Sequence, residues 1–132
     1  MRRRFAVVPL FAVAASLAGC ALFAERSSNR YVVFYQPLSA KLDPSAKGVV
    51  DGAAGFALRH PTQPVVVVGF ADPDGSPAAN IAISHARAQV VTDELTTFGV
   101  PASRITSLAH GQIGFSSNSV ESRRVEIDVG QP

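Results

Sequence analysis

An α+β domain, in which two helices pack against a sheet of about four strands, is the fold class this sequence predicts. Three observations predict it. Runs of β-branched and aromatic residues occur at 31–35 (YVVFY) and 64–70 (PVVVVGF), and a strict alternation of apolar and acidic residues occupies 125–129 (VEIDV). Two longer stretches, 44–60 and 78–98, repeat their apolar residues at helical spacing. The chain is 132 residues long and 47% hydrophobic, enough for one globular domain without an internal repeat.

The N-terminal segment stands apart from that domain. MRRR is a positively charged start, 5–17 is apolar except for Pro9 and Ser16, and Leu17-Ala18-Gly19 is of the type that precedes a cleavage site. The apolar run is shorter than the roughly 20 residues of a membrane span, so 1–19 reads as a signal peptide. Cys20 follows it directly and is the sole cysteine, which excludes an internal disulfide. LAGC resembles the bacterial lipoprotein box, and that resemblance implies a lipidated Cys20. Ala21 rather than Asp comes next, which in that family favours the outer membrane. The polar, aperiodic stretch 21–30 reads as a tether of at most about 35 Å.

The first strand, 31–35, is stopped by Pro37. Leu42-Asp43-Pro44 then signals a helix start, with Asp43 as N-cap and Pro44 at the first helical position. Ala46, Val49, Val50, Ala53 and Ala57 share one face of that helix, although Gly48, Gly52 and Gly55 weaken it. Pro61 and Pro64 close it. The run at 64–70 reads as a fully buried strand, 72–77 as a loop, and 78–98 as a second helix ended by Gly99 and Pro101. A short strand at 105–108, a Gly, Ser and Asn loop at 111–122, and a half-buried last strand at 125–129 complete the order.

Charge narrows the function. The 12 basic residues include Arg2, Arg3 and Arg4 of the signal segment, and the remaining nine face ten acidic ones. Only Arg123 and Arg124 form a basic pair, so a nucleic-acid partner is excluded. His60, His85 and His110 lie far apart with no metal-ligand spacing, and no nucleophile elbow occurs. The reading is accordingly of no enzyme, no catalytic residue, no metal and no cofactor.

The second helix carries the functional signal. Its stripe of Leu95, Val91 and Ala88 continues to Ser84 and Asn80, with Arg87 beside Ser84, so the buried face turns polar toward the helix N-terminus. A polar group buried without a partner costs about 1–3 kcal/mol, which a purely structural helix avoids. That end adjoins Asp72 and Asp74, where VVVVGFADPDG leaves its strand. As Asp-Pro and Asp-Gly they are turn chemistry; as strand-end groups they present a ligand site.

GFADPDGSPAANIAISHARA is similar to the signature of the OmpA-like domain, the peptidoglycan-binding module of outer-membrane protein A and of peptidoglycan-associated lipoproteins. Gly69, Asp72, Gly75, Asn80, Ser84, Arg87 and Ala88 stand in register with it. Leu42-Asp43-Pro44, Gly111-Gln112 and Arg123-Arg124-Val125-Glu126 match more loosely. The resemblance implies a βαβαββ mixed sheet over 31–132, in a lipid-anchored outer-membrane protein whose domain faces the periplasm. It further implies that Asp72 accepts from the ammonium of diaminopimelate in the peptidoglycan stem peptide and that Arg87 clamps a carboxylate. Amides near Gly75 and Ser76 assist, and Asn80 ties the loop to the helix. Ala71, Ala79 and Ser122 depart from the usual Thr, Tyr or Leu, and Asn, and the 112–122 loop is short. Other readings stand beside these: a mutual Asp72–Arg87 ion pair, Asp74 as a turn residue, Arg123 and Arg124 as a solvated face or structural bridge, and an envelope lipoprotein of this fold that binds a protein partner.

Overall fold

The computed structural model describes residues 28–112 and 119–130. Strand β1 (Asn29–Phe34) leads into helix α1 (Pro44–Arg59), strand β2 (Val65–Ala71) and helix α2 (Pro77–Thr97). A 3-10 turn at Ala102–Arg104 then precedes strand β3 (Ile105–Gln112), the four-residue helix α3 (Ser119–Ser122) and strand β4 (Arg124–Val129). The sheet runs β1-β4-β2-β3, with β2 and β3 parallel and the other pairs antiparallel. This is the expected mixed four-stranded sheet with helices packed against it.

Both long helices start as the sequence dictates. The Asp43 carboxylate accepts from the Ala46 amide at 2.8 Å, and Pro44 opens α1. In α2 the cap is the Ser76 hydroxyl, which accepts from the Ala79 amide at 3.1 Å with Pro77 at the first position. The expected faces are the buried ones. Ala46, Val50, Ala53 and Ala57 of α1 meet Ala88, Val91 and Leu95 of α2 and the inward residues Val33, Val65, Val67, Val125, Ile127 and Val129 in one core. Val49 packs against it half-buried.

Three elements differ from the sequence reading. First, β1 begins at Asn29, taking in two residues of the expected tether. Arg30 explains it, pairing opposite Asp128 in the ladder and donating Nε–H to Asp128 Oδ1 at 2.6 Å. Second, β2 alternates instead of being fully buried, with Val66 and Val68 half-exposed. The helices cover only one face of the sheet, and on the other Phe70 lies between His110 and the Arg124 guanidinium, 5.4 and 4.3 Å away. Third, β3 runs to Gln112, well beyond Leu108. Pairing with β2 overrides the weak propensity of its last residues: the register slips between Gly69 and Phe70, so that Phe70 faces Gly111 and His110 is the extra residue. Part of the expected 111–122 loop is therefore strand and α3, and its 113–118 portion lies outside the described residues.

Arg104 was not legible as a structural residue. Its guanidinium donates to the carbonyls of Ala57, His60 and Gln63 at 2.7–3.1 Å, capping the end of α1 from across the fold.

Candidate ligand site at the end of β2

The chain leaves β2 at Ala71, turns through Asp72 to Gly75 and enters α2 at Ser76. Gly75 has φ +95°, a left-handed conformation that glycine adopts without strain. The end of β2 can lie close to α2 because Gly69 has no side chain: a Cβ there would stand 2.1 Å from the Ser84 carbonyl oxygen.

The polar end of the α2 stripe is real, and its three members have different fates. Ser84 is fully buried, donates to the Ile81 carbonyl at 2.9 Å and accepts from the Gly111 amide at 3.0 Å, so it is satisfied as a structural link to β3. Arg87, 1% exposed, donates Nε–H to the Ser39 carbonyl at 2.8 Å, Nη1 to Phe70 at 3.1 Å and Nη2 to Gln36 at 3.3 Å. The Tyr35 ring lies 5.2 Å from the guanidinium. Asn80 is 5% exposed, and its side-chain nitrogen has no partner among the described residues.

Asp72 does not form the mutual ion pair with Arg87. Its Oδ2 lies 3.4 Å from Arg123 Nη1, and its buried Oδ1 has no partner among the described residues. Arg123 is thus neither solvated nor remote: 9% exposed, it also donates Nε–H to the Tyr35 carbonyl at 3.1 Å. Asp72 and Arg87 still act on each other through space. Burial holds the Arg87 guanidinium below its ordinary pKa, while Asp72 and Tyr35 act to raise it and Arg123 to lower it.

Among the remaining expected residues, the Ser76 hydroxyl serves as the helix cap, Gly75 lies beside Asn80, and Asp74 is exposed in the turn. Cys20 lies outside the described residues. Among the described residues no three His, Cys, Asp or Glu side chains come together as a metal site. Of the two readings left open for Arg123, the structure has the structural bridge and not the solvated face. The only signal for that bridge was the family-like Arg-Arg-Val-Glu ending, which gives no hint of a contact 51 residues away.

The arrangement is that of a two-layer α+β domain, with a carboxylate, two guanidinia and an amide gathered where its central strand meets the second helix. Residues 34–126 match the OmpA family, and the chain belongs to it. It is 35% identical over 103 residues to the probable lipoprotein YiaD of Escherichia coli (strain K12), an alignment covering 74% of this chain and 47% of that one. It is 30% identical over 80 residues to a peptidoglycan-associated lipoprotein of Agrobacterium fabrum (strain C58 / ATCC 33970), covering 61% and 45%. The chain therefore spans less than half the length of these relatives. The crystal structure of the peptidoglycan-associated lipoprotein from Burkholderia pseudomallei superposes with a TM-score of 0.70 at 18% identity, covering 75% of this chain and 89% of that one, which shows the shared fold.

Proposed function

We propose that this chain is a non-catalytic, peptidoglycan-binding envelope lipoprotein that links the outer membrane to the cell wall through diaminopimelate of the stem peptide. The observation that carries the reading is a pair of buried atoms at the entrance to α2, Asp72 Oδ1 and Asn80 Nδ2, that have no partner among the described residues. One is an acceptor and one a donor, and native interiors rarely leave such groups unmatched. A ligand end bearing an ammonium and a carboxylate satisfies both, with Arg87 and the positive end of the α2 dipole favouring the carboxylate. The backbone at Gly75 and Ser76 shapes the entrance. Relatives named peptidoglycan-associated lipoprotein support peptidoglycan as the polymer bound. Lipidation of Cys20 supplies the membrane link.

Co-sedimentation of the detergent-solubilised full chain with purified sacculi, with free diaminopimelate as competitor, tests this. Binding is expected to saturate and to be displaced by diaminopimelate. Asp72→Ala removes one charge-assisted group and weakens binding by about 1.5–3 kcal/mol, roughly ten- to a hundredfold. Asp74→Ala, in the same turn, changes it by less than about fivefold. Wild-type affinity in Asp72→Ala would sink the assignment.

A further inference from the structure

We infer that Arg123 biases what Asp72 accepts: by covering Oδ2 it leaves the carboxylate a one-point acceptor, better matched to a primary ammonium than to a guanidinium, which gives up its two-point pairing. The inference rests on the proposed ligand role of Asp72. Arg123 is fixed before it reaches the site. Its carbonyl accepts from the Tyr35 amide at 2.9 Å while its Nε–H donates to the Tyr35 carbonyl at 3.1 Å, so backbone and side chain both fasten it to the residue after β1. From that position Nη1 reaches Asp72 Oδ2 at 3.4 Å, with the Arg123 side chain only 11% exposed.

Asp72 Oδ1, without a partner among the described residues, is what remains for a ligand. A guanidinium binds a carboxylate most strongly through two parallel N–H···O bonds, one to each oxygen, and loses one of them when an oxygen is covered, whereas an ammonium donates from a compact centre and loses less. Charge adds a second condition. With Arg87 buried nearby and Arg123 on Oδ2, a further cation is better tolerated with its own carboxylate, toward which Asn80 Nδ2, without a partner among the described residues, can donate and the Arg87 charge can act through space.

The test is competition against sacculus binding by the full chain, using diaminopimelate and its derivative with both amines converted to guanidines. Wild type should favour diaminopimelate by about tenfold, since the guanidine derivative forfeits one of its two parallel bonds to the carboxylate. Arg123→Gln uncovers Oδ2 and brings that ratio below about threefold, while Arg123→Lys, which still donates to Oδ2, keeps it near the wild-type value. An Arg123 that only supports the fold would weaken both competitors alike, and an unchanged ratio in a folded Arg123→Gln overturns the inference. A wild type displaced equally by both compounds overturns it too and leaves the proposed function standing; a wild type that does not bind sacculi removes both. A second readout needs no variant: the Arg123 Nη1–H resonance, from the group that faces Asp72 Oδ2, should persist when the wild-type protein is saturated with diaminopimelate, and its loss would mean that the pair gives way to the ligand.

Discussion

Tyr35 joins the end of the first strand to the site by every group it has. Its ring lies against the Arg87 guanidinium, its hydroxyl donates to the Arg87 carbonyl at 3.4 Å, and its backbone holds Arg123. Burial pushes its pKa above the ordinary tyrosine value, with Arg87 acting in the opposite sense. The folded state thus favours the neutral phenol. Tyr35's contribution is fully present below the unfolded pKa of about 10 and is lost as pH rises above it toward the folded value. Urea unfolding between pH 8 and 11, as approximate limits, should show stability falling at the alkaline end, with a shallower fall in Tyr35→Phe. Equal slopes in the two proteins would remove Tyr35 as the cause. Arg87 is a poorer reporter of ligand than its neighbour Asp72: removing a side chain that donates to three carbonyls leaves those groups unmatched. Arg87→Ala is therefore expected to lower the melting temperature as well as binding.

Helix α2 sits as low on the sheet as it does because of one missing side chain. Gly69→Ala places a methyl group 2.1 Å from the Ser84 carbonyl oxygen and 3.3 Å from the Ala88 methyl, so helix and strand must separate. The cost is expected at the upper end of, or above, the usual 1–3 kcal/mol of overpacking, roughly, because the atom met is backbone and cannot rotate away. Chemical denaturation measures it, and a loss below about 0.5 kcal/mol would show that α2 floats freely over β2. The core stripe of α2 was legible down to Asn80, since a 3.6-residue period names the buried face whatever its polarity. Which polar members of that face are satisfied was not legible. Ser84 and Arg87 find partners on β3 and on the 36–39 turn, and no local pattern encodes those contacts.

In the molecule as a whole, the covered face of the sheet organises the core and one end of it organises the site, while the other face is left to charged and aromatic side chains. Arg30 pairs with Asp128, and Arg124 with Glu126, across this open face. No helix among the described residues is long and apolar enough to cross a membrane. The membrane link proposed above is made through Cys20. Cys20→Ser is expected to abolish incorporation of labelled palmitate, to leave the precursor uncleaved after Gly19 and to release the protein from the membrane fraction. Equal labelling of variant and wild type would remove the lipoprotein reading.

Local chemistry made much of this protein readable from its residues in order. Asp43-Pro44 starts α1, the apolar periods name both helix faces, the VEIDV alternation gives β4 its two sides, and the GFADPDG stretch marks where the central strand yields to a turn. Each of these is set by neighbours within one or two helical turns, or by the two-residue repeat of a strand. Distant parts of the chain had to meet before the rest existed. The extension of β3 to Gln112 depends on its parallel partner, and the capping of α1 on Arg104. Pairing of Asp72 with Arg123 instead of Arg87 depends on β4 lying beside both β1 and β2, which brings the residue before β4 to the end of the central strand. Strand order is a property of the closed sheet, and no short-range pattern in the sequence specifies which guanidinium will reach a given carboxylate.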